Sequence, residues 1–140
     1  LLTLALPNFR TALQNNRLTG QANEMLTAMQ FARSEALKRG FPVEMCSSAD
    51  GATCGGNWNL GWIVYVDLPG AAVEVLRVWP GAGTDFTYAP VDGLVRYQPT
   101  GFATAALTLD VTLPDCRGDN ARQIVVELTG RAASERTTCP

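Results

Sequence analysis

The sequence has no histidine among its 140 residues. That removes the commonest general base and the commonest zinc ligand together. A serine or cysteine nucleophile would then need an unusual base. The four cysteines, Cys46, Cys54, Cys116 and Cys139, include no CxxC pair, so they do not read as a metal site. Gly55-Gly56 and Gly81-Ala82-Gly83 lack the lysine and the strand-to-helix setting of a phosphate loop. Aspartate and glutamate are plentiful, but no spacing singles out a pair for acid–base work. The expectation is a chain with no catalytic residue, no metal and no cofactor, and not an enzyme.

Two further absences narrow the class. No apolar run approaches the roughly 20 residues of a membrane span. The opening Leu1-Leu2-Thr3-Leu4-Ala5-Leu6 is too short, and neither a charge nor a start methionine precedes it. It reads as the stump of a longer hydrophobic helix. Nor is there a large excess of one charge, with 11 basic against 13 acidic side chains. The charges are unevenly placed. Residues 41–116 carry only Arg77 and Arg96 against eight acids, whereas residues 117–140 carry Arg117, Arg122, Arg131 and Arg136 against Asp119, Glu127 and Glu135. A dedicated nucleic-acid binder shows a stronger basic excess, so composition does not argue for a polyanion partner.

What is present points to one domain over residues 1–140, with 46% apolar residues and neither repeats nor a low-complexity linker. An even cysteine count at wide spacing suggests two disulfides and hence an oxidising compartment, secreted or periplasmic. Three connectivities are open, as is a set of four buried thiols. Cys46–Cys54 with Cys116–Cys139 is favoured, because the first pair brackets the turn-rich Ser47-Ser48-Ala49-Asp50-Gly51.

From Pro7 to Arg39 the pattern is helical. Leu18, Ala22, Met25, Met29, Ala32 and Ala36 recur at steps of four and three, and Leu26 and Leu37 widen the stripe. Gly20 weakens the middle by about 1 kcal/mol relative to alanine and is a place for a bend. Lys38 and Arg39 suit a helix C-terminus, and Gly40 and Pro42 stop it. Such a helix is roughly 50 Å long and must project beyond the globular part or lie along a sheet. After Gly40 the period becomes two. Strands are expected at 43–46, 61–67, 73–79, 86–88, 94–97, 107–113 and 122–128, separated by Asp-Gly, Pro-Gly and Gly-Asp turns. The fold class is α+β: a long N-terminal α-helix (1–40) packed on antiparallel β-sheet (41–140). Arg33 and Glu35 lie two apart on the helix and so do not pair; one should make a helix-to-sheet contact and the other a solvated or subunit contact. Trp58 and Trp62 should anchor helix to sheet.

Five segments carry a family resemblance: Ala5-Leu6-Pro7-Asn8-Phe9; Ala32-Arg33-Ser34-Glu35-Ala36; Val43-Glu44-Met45-Cys46 with Asp50-Gly51 through Cys54; Trp58-Asn59-Leu60-Gly61-Trp62-Ile63-Val64-Tyr65-Val66-Asp67; and Arg122-Gln123-Ile124-Val125-Val126 with Thr129-Gly130-Arg131. Together they resemble the GspH/FimT family of minor pilins and pseudopilins, and FimT-type minor pilins most. The resemblance implies a type IV pilin-like fold. It also implies a subunit held in the inner membrane by its N-terminal helix, its domain in the periplasm, before incorporation into a pilus at the cell surface. The implied partners are major and minor pilins, and the part without its membrane helix should be a monomer.

The resemblance implies two other roles. Some FimT-type minor pilins bind DNA in natural transformation through a C-terminal Gly-Arg-x-Arg loop. Here Gly130-Arg131 is present, Ala133 stands at the second arginine position, and the next arginine is Arg136, beside Glu135. Arg131 and Arg136 are the leading DNA candidates, with Arg122 and Arg117 expected to converge on them if Cys116 and Cys139 are bridged. The third role is that of a type II secretion pseudopilin, which would contact secreted proteins.

Overall fold

A computed structural model describes residues 2–140, with side chains from Phe9 onward. Leu1 lies outside the described residues, as do the side chains of residues 2–8, which carry the rest of the apolar run and most of the Ala5–Phe9 segment.

The helix α1 runs over Leu2–Arg39 and is uninterrupted at Gly20. Its 38 residues correspond to about 57 Å at 1.5 Å per residue. It ends where the sequence sets a stop. Gly40 takes a φ of +70° and returns its N–H to the Ala36 carbonyl at 3.0 Å, while Lys38 and Arg39 occupy the last turn. Leu18, Ala22, Met25, Met29, Ala32 and Ala36 are all buried, joined by Ala28 and Gln21. Leu37, expected to widen the stripe, is 54% exposed. It lies a further 100° round the helix from Ala36, past the edge of the contact.

Eight strands follow: β1 Val43–Ser47, β2 Gly61–Val66, β3 Glu74–Pro80, β4 Thr87–Ala89, β5 Leu94–Tyr97, β6 Leu107–Thr112, β7 Ala121–Val126 and β8 Ala132–Thr137. They form two antiparallel sheets, in the orders β3-β2-β1-β5 and β4-β6-β7-β8, and α1 lies against both. Strand β8 was not expected from the pattern. A short 3-10 turn at Trp58–Leu60 leads into β2.

Every residue of β2 is buried, and its two faces serve two clusters. Trp62, Val64 and Val66 join the main core under the helix, together with Met45, Tyr97, Ile124 and Val126. Ile63 and Tyr65 pack with Cys46 and Val75 on the far side. Trp58 and Trp62 are fully buried, their rings edge-on with centroids 6.3 Å apart, in the same core cluster as the buried residues of the helix. The sheets are stitched together beyond β5. Tyr97 bridges to Ala103, and the Ala103 N–H donates to the Leu128 carbonyl at 3.0 Å.

Candidate binding surfaces

The first surface is the helix itself. Residues 9–13 are all exposed, and Phe9 and Leu13, one turn apart on the same face, are 61% and 47% exposed. The Gln14 amide donates to the Pro114 carbonyl at 3.1 Å, a contact between the lower part of the helix and the rest of the fold. No helix among the described residues is long and apolar enough to cross a membrane.

The second surface holds the arginines of the β7–β8 hairpin. Antiparallel pairing sets Arg122 directly opposite Arg136, and the hairpin turn places Arg131 at the other end. Arg136 lies five steps along the chain from Arg131, about 17 Å at 3.3–3.4 Å per residue. The expected convergence of four arginines therefore fails at Arg131, because β8 is an extended strand and not a loop. Arg117 is exposed in the loop before β7, at the end near Arg122 and Arg136. Arg122 itself is buried. It reaches inward to donate from Nη2 to the Thr19 hydroxyl of α1 at 2.9 Å, and its Nη1 has no partner. Burial first, and the neighbouring Arg136 second, hold its pKa below the ordinary guanidinium value. Of the four DNA candidates, Arg117, Arg131 and Arg136 are at the surface and Arg122 is not.

At the upper end of the interface, Arg33 does what one member of the Arg33/Glu35 pair was expected to do. Its Nε donates to the Gly101 carbonyl at 2.9 Å and its Nη2 to the Thr129 carbonyl at 3.2 Å, tying the helix to one turn from each sheet. Glu35 faces elsewhere, paired with Arg39 at 2.8 Å and Lys38 at 3.8 Å. Gly130 is squeezed between Arg33 and Gly101. A Cβ there would sit 1.8 Å from the Gly101 oxygen and 2.9 Å from Arg33 Nε, and the residue's φ is +89°. The glycine of the Gly130-Arg131 pair is thus demanded by packing. Arg131 is loosely paired with Glu127 at 3.8 Å, both well exposed, an arrangement worth little. A cavity of about 180 Å³ lies here, lined by Met29, Gln30, Arg33, Tyr97, Gly130, Arg131 and Ala132. Tyr97 is fully buried, its hydroxyl has no partner, and burial pushes its pKa up to about 12.

The cysteines are structural. Cys46 is bonded to Cys54 and Cys116 to Cys139. Asp50 organises the first loop by accepting from the backbone N–H groups of Ala52 and Thr53 and from the Thr53 and Ser48 hydroxyls. Those bonds, with Thr53 the largest contributor, hold its carboxyl well below the usual carboxylate range. On the far face of the first sheet the buried Glu44 accepts from the Tyr65 hydroxyl and from Arg96. Sequence reasoning did not find this trio; only the register that puts Glu44 opposite both Tyr65 and Arg96 brings it together. Among the described residues no group of side chains could hold a metal ion.

Comparison with known proteins bears on these surfaces. The family model described as type II transport protein GspH matches residues 21–130. No curated protein sequence matches the chain. Among solved structures, the type IV minor pilin FimU of Pseudomonas aeruginosa resembles it in two crystal forms. One has a TM-score of 0.68 at 20% identity, over 86% of this chain and 89% of FimU; the other has 0.65 at 20%, over 84% and 92%. At that identity the likeness speaks for the fold, a long helix on antiparallel sheets in the type IV pilin arrangement.

Proposed function

The chain belongs to the GspH family, and from that membership we propose that it is a minor pilin, built into a type IV pilus through its N-terminal helix. The family is one of minor pilins and pseudopilins, structural subunits associated with the periplasm and the pilus. The observation that carries the finer reading is the exposed apolar pair Phe9 and Leu13, one turn apart near the helix start, which would meet a neighbour. Apolar helix faces of adjacent subunits pack together once they leave the lipid, while the sheets face outward. In this reading the protein waits in the inner membrane, joins other major and minor pilins, and contributes to the complex that starts assembly. The test is recovery of the protein in sheared filaments. Wild type should be present, and Phe9→Glu/Leu13→Glu should be depleted about tenfold or more, with an unchanged melting temperature. Absence of wild type from pili, together with loss of protein secretion on its deletion, would replace this reading with the type II pseudopilin that the family model's own description names.

A second role, as a DNA receptor on the same pilus, draws on Arg117 and Arg136. Both are exposed, and neither is paired with a carboxylate among the described residues. Arginines of this kind neutralise phosphates without reading bases, so binding should be weak and fall steeply with salt. Duplex binding at two salt concentrations, compared with Arg117→Ala/Arg136→Ala, tests it. Equal retention of the variant would remove the role.

A further inference from the structure

Arg122 and Arg136 oppose each other across β7 and β8, on the face that looks toward α1. Ile124 and Val126, two and four residues on from Arg122, point the same way into the core. Like charges placed directly opposite repel. The pair is also uncompensated. Arg122 is only 7% exposed, yet its one side-chain hydrogen bond goes to a neutral hydroxyl and its Nη1 is orphaned. Glu135, the nearest acid in sequence, pairs across the strands with Gln123 and so projects from the opposite face of the hairpin. The pKa of Arg122 is lowered by burial and by Arg136, and no carboxylate acts against them. Buried arginines are ordinarily paired, because a lone buried charge is costly. Two arginines opposed across the strands, with no acid paired to either among the described residues, form half of an ion-pair site whose other half is supplied from outside.

We propose that Arg136 and Arg122 receive a carboxylate from an acidic side chain of a neighbouring filament subunit, with Thr19 of α1 completing the site. The inference rests on the filament reading, since α1 is the element that reading packs against neighbours. Arg136 is the exposed arm that first meets the acid, and Arg122 is the recessed one. The planar fork of a guanidinium matches a carboxylate in two parallel hydrogen bonds. Arg122 is recessed and its Nη1 is covered, so a small carboxylate bound first by the exposed Arg136 and meeting the 7% exposed edge of Arg122 suits the site better than a bulky duplex backbone.

The experiment has two arms. In the first, the purified chain is titrated with sodium acetate against sodium chloride of equal ionic strength, following the arginine Nε–Hε resonances. Acetate should give a saturable shift of Arg122 and Arg136 that chloride does not, weakened about tenfold or more in Arg136→Gln. In chloride alone Arg136→Gln should melt about 1–3 °C higher than wild type, because it relieves the repulsion. No saturable shift, or a variant that melts lower, would overturn the proposal. Displacement of acetate by duplex DNA with the same two resonances moving would overturn it in favour of a phosphate ligand. In the second arm, Arg136→Gln should be depleted about fivefold or more from sheared filaments, and wild-type recovery of the variant would overturn the neighbour as the source. If wild type is itself missing from filaments, the filament reading falls. Arginines blind to acetate in a chain that still enters filaments would sink this inference alone.

Discussion

Arg33 and Arg122 both span the contact between the helix and the sheets, near its two ends, and neither meets a carboxylate there. At the upper end Arg33 gives two hydrogen bonds to backbone carbonyls, one from each sheet. At the lower end Arg122 gives one to a threonine hydroxyl, leaves a nitrogen unpartnered and faces a second arginine. The upper arginine closes the fold; the lower one is left over once the fold is closed. Side-chain type and burial alone do not distinguish a fastener from a receptor. What distinguishes them is whether the protein itself supplies the acceptors.

The comparison can be broken most directly at Gly130. Alanine there meets the Gly101 oxygen at 1.8 Å in a backbone conformation with φ +89°, so Gly130→Ala should cost about 3 kcal/mol or more in urea unfolding. A tolerant Gly130 would mean that the upper end is not tightly closed. Next come the arginines themselves. Arg33→Met should lose about 1–3 kcal/mol because its two charge-assisted bonds disappear. Arg122→Met should be within about 1 kcal/mol of neutral, since it removes an uncompensated charge and keeps the packing. Equal losses would erase the contrast.

The two ends also differ in a pair of buried tyrosines. Gln21 donates to the Tyr88 hydroxyl at 2.7 Å, while the Tyr97 hydroxyl has no partner. Tyr88→Phe strands a buried amide and should cost about 1–2 kcal/mol, whereas Tyr97→Phe should cost nothing measurable. Burial pushes both hydroxyls up to about 12. Their folded pKa lies above the unfolded value of about 10, so the stability of holding them neutral is complete below pH 10 and is lost as pH climbs through 12. Melting temperatures between pH 9 and 12 should fall, and less steeply in each phenylalanine variant. The smallest expected effect is at the lower end of the helix. Gly20 is exposed, helical and has nothing within 4 Å of a built Cβ, so Gly20→Ala should gain about 0.5–1 kcal/mol in the same unfolding assay.

Much of the fold was legible because the helix writes its contact face into every third or fourth residue. Leu18 through Ala36 could be read off, and the turn glycines and prolines separated seven strands. Strand β8 could not. Ala132-Ala133-Ser134-Glu135-Arg136-Thr137 shows no apolar alternation, and it is a strand only because β7 offers it an edge. The division into two sheets was equally hidden, since it is set by which strands pair with which. The Cys46–Cys54 pairing was readable from the tight turn it encloses. For the arginines, the sequence showed four in one segment, but their directions are set by register. One step of pairing decides that Arg122 points at the helix while Gln123 points away.

The Cys116–Cys139 bond has a mechanical consequence. It closes a loop that contains both β7 and β8, and it sits just beyond the C-terminal end of β8, the outermost strand of its sheet. An edge strand is ordinarily the first to come away when a domain is pulled, unzipping one hydrogen bond at a time from its free end. Here that end is covalently anchored to the loop before β7, so the hairpin cannot be peeled open from there. In the filament role proposed above, such an anchor would keep the edge strand in place when the subunit is pulled.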